Sequence, residues 1–484
     1  MPDIRLAAVA ANRFGYGARP GELQTIAGDP RGWLAAQIAG PAAFSVDATG
    51  LTTRAEATEA LAKFLATREV RQMLNPQGRT APEMPKPPEN SKGMDQGGEM
   101  AALSTETQGT VRSLVALSIT EAAARTNRAL SSTATFAERL VHFWANHFTI
   151  STTRVTVYPF AGLYEREVIR PGMTGGFSDL LLNVCRHPAM LLYLDQAQSR
   201  GPTSPAGQRA NTGLNENLAR EVLELMTLGA QGGYTQADVT EFAKALTGWT
   251  LVSKPVRERV PTLELGAFVF IPQFHEPGPR TVLGKTYAQA GEDQAAAILR
   301  DLSVHPATAR TIATKLARHF ISDEPPPGAV AALAAAFTRS NGSLPALHET
   351  LIGLPEAWDA QARKFKSPND FIVSGLRLTG LNKVEDRALI AAYTQLGQVP
   401  YRAPSPKGWP DDAASWSGGD ALMKRIEWAQ ALGQRLGSSI KPAERANDVL
   451  GPVLRPVTRQ AIERAESADQ GLTLALMSPE FQWR

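Results

Sequence analysis

A chain of 484 residues with 43% hydrophobic and 20% charged residues can bury one large core or several ordinary ones, which excludes the disordered and fibrous classes. Its 50 Lys and Arg against 47 Asp and Glu leave a formal charge of +3. No basic run interleaved with aromatics accompanies that small excess, so nucleic acid is not expected as a partner.

The N-terminus, MPDIRLAAVAANRFGYG, carries one Arg and a very short apolar stretch that faintly imitates an export signal. NRFGYGARPGE follows at once like the start of a domain, so the expected location is cytoplasmic, with a periplasmic or secreted one as the alternative. No run reaches the roughly 18 apolar residues that suggest a membrane span. GELQTIAGDPRGWLAAQIAG and RAEATEALAKFLATREVRQML place apolar residues three and four apart, which predicts helices across an N-terminal region, 1–74. NPQGRTAPEMPKPPENSKGMDQGGEM has no periodicity and predicts a mobile loop over 75–100. From residue 101 the helical pattern resumes, and 101–484 is expected to form the main helical domain, one fold with 1–74.

Within HFWANHFTIS, residues 142–151, His142 and Asn146 are four apart and share a helix face. His147 diverges from His142 by roughly 140° at 3.6 residues per turn, so this is not the geometry of a zincin. The aromatic neighbours predict burial. Core histidines are the ordinary explanation, and ligands or acid–base groups the alternative. Cys185, the one cysteine, excludes an intramolecular disulfide and sits in LLNVCRHPAM, where a buried, inert thiol is expected.

NENLAREVLELMTLGAQGGYTQADVTEFAKALTGW, residues 215–249, predicts a helix from Asn215 to Leu228 closed by Gly229. Glu216 and Arg220 are spaced for an ion pair. Thr235 and Asp238 resemble a capping box that opens a second helix, through Glu241 to near Trp249. Antiparallel packing would bring Glu221 and Glu224 towards Asp238 and Glu241, as in helical carboxylate metal sites, or would leave all four in water. LELGAFVFIPQFHEPGPRTVLGKTY, residues 263–287, predicts a small β-hairpin with His275, Glu276 and Arg280 crowding a turn.

Helix starts are clear elsewhere. Pro188 and Pro306 each follow a His at a helix start, and Ser367 suits an N-cap with Pro368 in the first turn. Asp370, third in that helix, is expected to meet free backbone N–H groups. RAPSPKGWPDDAASW, residues 402–416, holds Trp409 and Trp416 in a Pro/Gly-rich loop, as a substrate lip or a loop anchor.

Together NRFGYGARPGE, FWANHFTIS, HPAMLLYLDQAQS, the 215–249 stretch, FHEPGPRTVLG, HPATARTIATKLARHFISDEPP and GQVPYRAPSPKGWPDDAASW resemble the bacterial family of domain of unknown function 1800, over nearly the whole chain. The resemblance implies a predominantly helical protein and names no reaction. Members are often encoded beside secreted proteins of a sulfatase-like family, which implies a shared envelope or glycan-related task. The family pattern falls on Asn146, His147, Asn217, Arg220, Glu221, Glu224, Gly233, Tyr234, Asp238, Trp249, His275, Trp409 and Pro410. It departs at Met226, where many members have His or Phe, which argues against a metal ligand there. Glu276 and Arg280 replace the usual Asp and Lys and keep the charges.

The expectation is therefore a mainly α, multi-helix protein whose pocket collects His147, Glu221, Glu224 and His275. His147, Glu221 and His275 are the expected catalytic groups. Asn146, Asn217, Arg220, Tyr234, Arg280 and Trp409 are expected to bind substrate, and Glu221, Glu224 and Asp238 to hold a divalent metal. The reaction would be hydrolysis or transfer on a glycan-like or other polar substrate. The alternative is a non-catalytic scaffold or accessory protein working with a sulfatase-like partner.

Overall fold

Many of the described helices begin where a polar side chain meets a free backbone N–H. In a computed structural model, which describes residues 2–67, 104–210, 213–359 and 364–484, Ser367 accepts from Asp370 N and opens the helix Pro368–Thr379. Thr235 and Asp238 form the expected capping box at the head of Gln236–Leu246. His187 and His305 also cap, each accepting through Nδ1 from the backbone N–H two residues on, at 3.1 and 3.2 Å. The predicted 75–100 loop lies outside the described residues.

Helices carry the architecture, and strands are confined to two antiparallel ribbons among the described residues. Trp249–Leu251 pairs with Phe268–Phe270, and Arg280–Val282 with Lys285–Tyr287. The single hairpin expected over 263–287 is thus two ribbons. Gly248, at φ +90°, ends the preceding helical segment and turns Trp249 into the first strand rather than a helix end. Leu283 and Gly284 both have positive φ, which matches the twist of the tight second hairpin. The expected 215–228 helix is shorter and changes pitch: Asn217–Glu221 is α-helical and Val222–Met226 is a π turn.

Two buried apolar clusters form the interior. The larger draws on residues from Ala7 to Trp358, including Phe136, Leu140 and Phe143 of the helix Thr135–His147. The second joins Tyr16, Ala123, Ala129 and Leu130 to residues from Phe371 to Phe481. Cys185 is buried in the larger one, and that burial pushes its thiol up to about 12. Arg139, on Thr135–His147, reaches across to Asp370, on Pro368–Thr379, with Nη2 and Oδ2 2.7 Å apart. Arg484 Nε closes on the same oxygen at 3.1 Å. Burying such ions is costly, but once paired they tie the helix Thr135–His147 to the helix Pro368–Thr379. A cleft opens beside this ionic joint.

Candidate active site

The cleft is built from segments far apart in sequence: Tyr16, Arg125, the helix Thr135–His147, Glu165, His319, the head of Pro368–Thr379, and the loop 398–411. Its interior is about 90 Å³ for the centres of water-sized occupants, room for several waters or one small polar group. Gly15 lets the N-terminal segment cross the helix head closely, because a side chain there would collide with Thr135 Oγ1. That crossing sets Tyr16 on His142.

The Tyr16 hydroxyl hydrogen-bonds His142 Nδ1. Asn369 Nδ2 lies 3.3 Å from the same nitrogen, and Tyr393 OH donates to Asn369 Oδ1 at 2.8 Å. His142 Nε2 is buried and has no partner among the described residues. Burial, then the guanidinium groups of Arg125, Arg170 and Arg139, holds the His142 imidazole well below its usual range, so the ring is neutral. Burial also raises the Tyr16 phenol, which stays protonated.

His319 lies on the far wall, its Nδ1 2.8 Å from Asp411 Oδ2. Arg139 Nε donates to His319 Nε2 at 3.3 Å, so the neutral ring carries its proton on Nδ1 and donates it to Asp411. Burial lowers His319 more than Asp411 raises it. For Asp370 the balance is reversed: burial alone would raise it, but Arg139 and Arg484 bring it down to about 2. The Asp370 carboxylate therefore serves two arginines, not the backbone N–H groups it was expected to meet.

The last wall hangs on Asn146. Its Nδ2 donates to Trp409 O at 3.0 Å, and its Oδ1 accepts from Trp409 N at 2.8 Å. Gly408, at φ +82°, permits the approach; a Cβ there would lie 2.6 Å from both Asn146 oxygens. Tyr401, also in the lining, is held at φ +58°, a rare strain for an aromatic residue. Trp416 turns inward, donating through Nε1 to Pro410 O at 2.9 Å, with its ring 6.1 Å from that of Trp409.

Of the residues expected to catalyse, bind substrate or hold a metal, Asn146 and Trp409 thus meet in the cleft, which His142, Asp370 and Pro410 also line. The other expected catalytic, substrate-binding and metal residues lie outside it. His147 Nε2 lies 3.2 Å from Met226 O, and Nδ1 lies 3.3 Å from Lys315 Nζ, which also donates to Leu225 O at 2.7 Å. The pair caps carbonyls left at the end of the π turn. Burial, then Lys315, holds His147 well below its usual range. Burial of its own brings the Lys315 amine down to about 8.

Glu221 and Glu224 are neighbours and only half-buried, and Tyr234 OH donates to Glu224 at 3.4 Å. Asp238 does not join them. Its carboxylate is filled by Thr235 N, Thr235 Oγ1 and Leu283 N, at 2.8, 2.7 and 2.7 Å. His275 Nδ1 donates to Thr247 O at 2.9 Å, and Arg280 pairs with Glu241 and nearby carbonyls. Glu276 accepts from Thr203 N and Oγ1. Arg220 bonds Glu216 at 2.9 Å and Gln236 at 3.0 Å, and Asn217 is exposed. Among the described residues no three imidazole, thiol or carboxylate groups converge as a metal site requires. The expected grouping of Glu221, Glu224 and Asp238 is therefore not formed, because capping at Thr235 and the backbone N–H of Leu283, in the turn of the second ribbon, claim Asp238 first.

A family model described as "protein of unknown function (DUF1800)" matches residues 9–483. The chain belongs to that family. No curated protein and no solved structure matches it. In this DUF1800 chain the match encloses every wall of the cleft, from Tyr16 to Asp411. Tyr16, His319, Asn369, Asp370 and Asp411 all lie in stretches or loops noted for other reasons. Their only sequence signal was polar residues flanking apolar helices. No helix of this DUF1800 protein, among the described residues, is long and apolar enough to cross a membrane.

Proposed function

We propose that this DUF1800 chain is an enzyme, a hydrolase or transferase whose small polar, glycan-like substrate enters the cleft between Tyr16 and Trp409. The observation that carries this reading is His142 Nε2, buried without a partner on a ring that lines the cleft. A buried unsatisfied donor costs about 1–3 kcal/mol, a cost that a ligand atom relieves. His348 also leaves a nitrogen without a partner, but that ring is enclosed beside Trp144, whereas His142 borders the cleft. The apolar faces of Tyr401 and Trp409 beside a few fixed polar groups form the combination that small-molecule sites use.

In this reading His142 donates to the substrate oxygen on which charge develops, and Tyr16 and Asn369 hold the ring in place. The Asp411–His319 pair orients Arg139 and the far wall. Activity against a panel of glycosides and esters, measured with His142→Gln beside wild type, tests it. The expected outcome is a roughly 100-fold lower kcat in the variant, the scale of a lost transition-state donor. Equal turnover in both proteins overturns the assignment. The rival, an accessory protein gripping a sulfatase-like partner through Trp409 and Trp416, loses support because the Trp416 ring turns inward and the Trp409 backbone is clasped by Asn146 as part of the cleft wall.

A further inference from the structure

We propose that the group bound in the cleft is an oxyanion, a carboxylate or phosphate, held by His142 Nε2–H and the Arg125 guanidinium; this rests on the reading of the cleft as a substrate site. The tautomer comes first. Tyr393 OH donates to Asn369 Oδ1, which turns Asn369 Nδ2 towards His142 Nδ1 and the Tyr16 oxygen. An amide NH₂ only donates, so Nδ1 accepts. The protonated Tyr16 hydroxyl donates to the same nitrogen. A neutral imidazole has one proton, and it is left on Nε2, the buried atom without a partner on a ring that lines the cleft. His142 is therefore a fixed donor, suited neither to binding a cation nor to taking a proton through that nitrogen.

The second donor is Arg125. Its Nε stands 2.8 Å from Glu165 Oε2, and its guanidinium lies 5.3 Å from the Tyr401 ring centre. A guanidinium has five N–H donors in a planar fork, more than one carboxylate oxygen satisfies. Glu165 is also shared with Arg170, at 3.0 Å, and Arg170 and Arg128 both pair with Glu138. Through Glu165 the wall joins a buried network in which three guanidinium groups, Arg125, Arg128 and Arg170, share two carboxylates, Glu138 and Glu165. Across the cleft, Asp370 is matched by Arg139 and Arg484, and Asp411 faces His319 and Lys364. The carboxylates in the lining are thus each compensated, and the uncommitted donors beside His142 carry positive charge. A hydroxyl oxygen can accept from both donors but leaves the guanidinium charge unmatched; an oxyanion accepts from both and neutralises it.

The test is long-range ¹H–¹⁵N correlation on histidine-labelled full chain at pH 7, with His142→Gln to assign the ring. Acetate, inorganic phosphate and glucose are then titrated separately at constant ionic strength. The expected result is the Nε2–H tautomer and a saturable shift of the His142 resonances with acetate or phosphate, the responding anion identifying the class. In Arg125→Lys, which keeps the charge against Glu165 but removes the fork, the affinity for that anion is expected to fall about tenfold. Should that variant fail to fold, the wild-type titration decides alone. An Nδ1–H or doubly protonated ring overturns the proposal. A response to glucose but to neither anion overturns the oxyanion while leaving the cleft as the substrate site, and silence towards all three counts against both.

Discussion

Asn146 and Trp409, 263 residues apart, exchange two hydrogen bonds, side-chain amide to backbone amide in both directions. This clasp ties the loop 398–411 to the helix that carries His142. Asn146→Ala removes both bonds and is expected to cost about 1–3 kcal/mol of stability. Its effect on ligand binding in the cleft should be larger still, since the loop forms a wall. Urea denaturation and limited proteolysis between residues 398 and 416 measure the two effects; a loop no more sensitive to protease than in wild type contradicts the role assigned to the clasp.

The joint between Arg139, Arg484 and Asp370 should be brittle. Asp370→Asn leaves two buried guanidinium groups without their counter-ion and is expected to cost about 3–5 kcal/mol. Thermal unfolding would register this as a fall in Tm of several degrees, and an unchanged Tm would show that the joint adds little.

His147 and Glu221, expected from sequence to act together, should respond in opposite ways. His147→Ala removes the group that caps Met226 and meets Lys315, so stability falls while the affinity of the remaining folded protein for a cleft ligand is retained. Glu221→Gln relieves a carboxylate that burial, then Glu224, pushes above its usual range. Because the site is half-exposed, the expected change is a gain of less than about 1 kcal/mol. Calorimetry on the two variants separates these outcomes, and a large loss in Glu221→Gln would restore that residue as a structural or catalytic centre.

Acid should destabilise the fold earlier than its carboxylates alone would dictate. Burial is the leading cause that lowers His142, His147 and His348, the last to about 3. Above pH 6.5 these rings are neutral whether the chain is folded or not, and their contribution to stability is complete. Below it the unfolded chain takes up protons that the folded chain refuses, so stability falls by about 1.4 kcal/mol per pH unit for each such ring. Urea midpoints at pH 5, 6, 7 and 8 should drop only below 6.5. The drop should be shallower in His142→Gln by one histidine's share.

Local chemistry was legible in the sequence, and distant pairing was not. Ser367, Thr235 and Asp238 were found because a cap acts within three residues. Asn146 and Trp409 were both singled out, though nothing in the sequence joined them. Tyr16, His142 and Asn369 stand 126 and 227 residues apart along the chain, and no period reaches so far. The acidic pair Glu221 and Glu224 marks the opposite limit. Three-residue spacing shows that two side chains share a helix face, but not whether that face meets a cavity or water.

Since the cleft takes its walls from Tyr16, Arg125, His142, His319, Asn369 and Trp409, no single stretch of helix contains it. Helical turns close within microseconds, while contacts spanning hundreds of residues must await the docking of preformed parts. During refolding, circular dichroism should therefore recover before ligand binding does. The interval between the two signals times the closing of the ionic joint and of the Trp409 wall, which makes the cleft a reporter of completed folding.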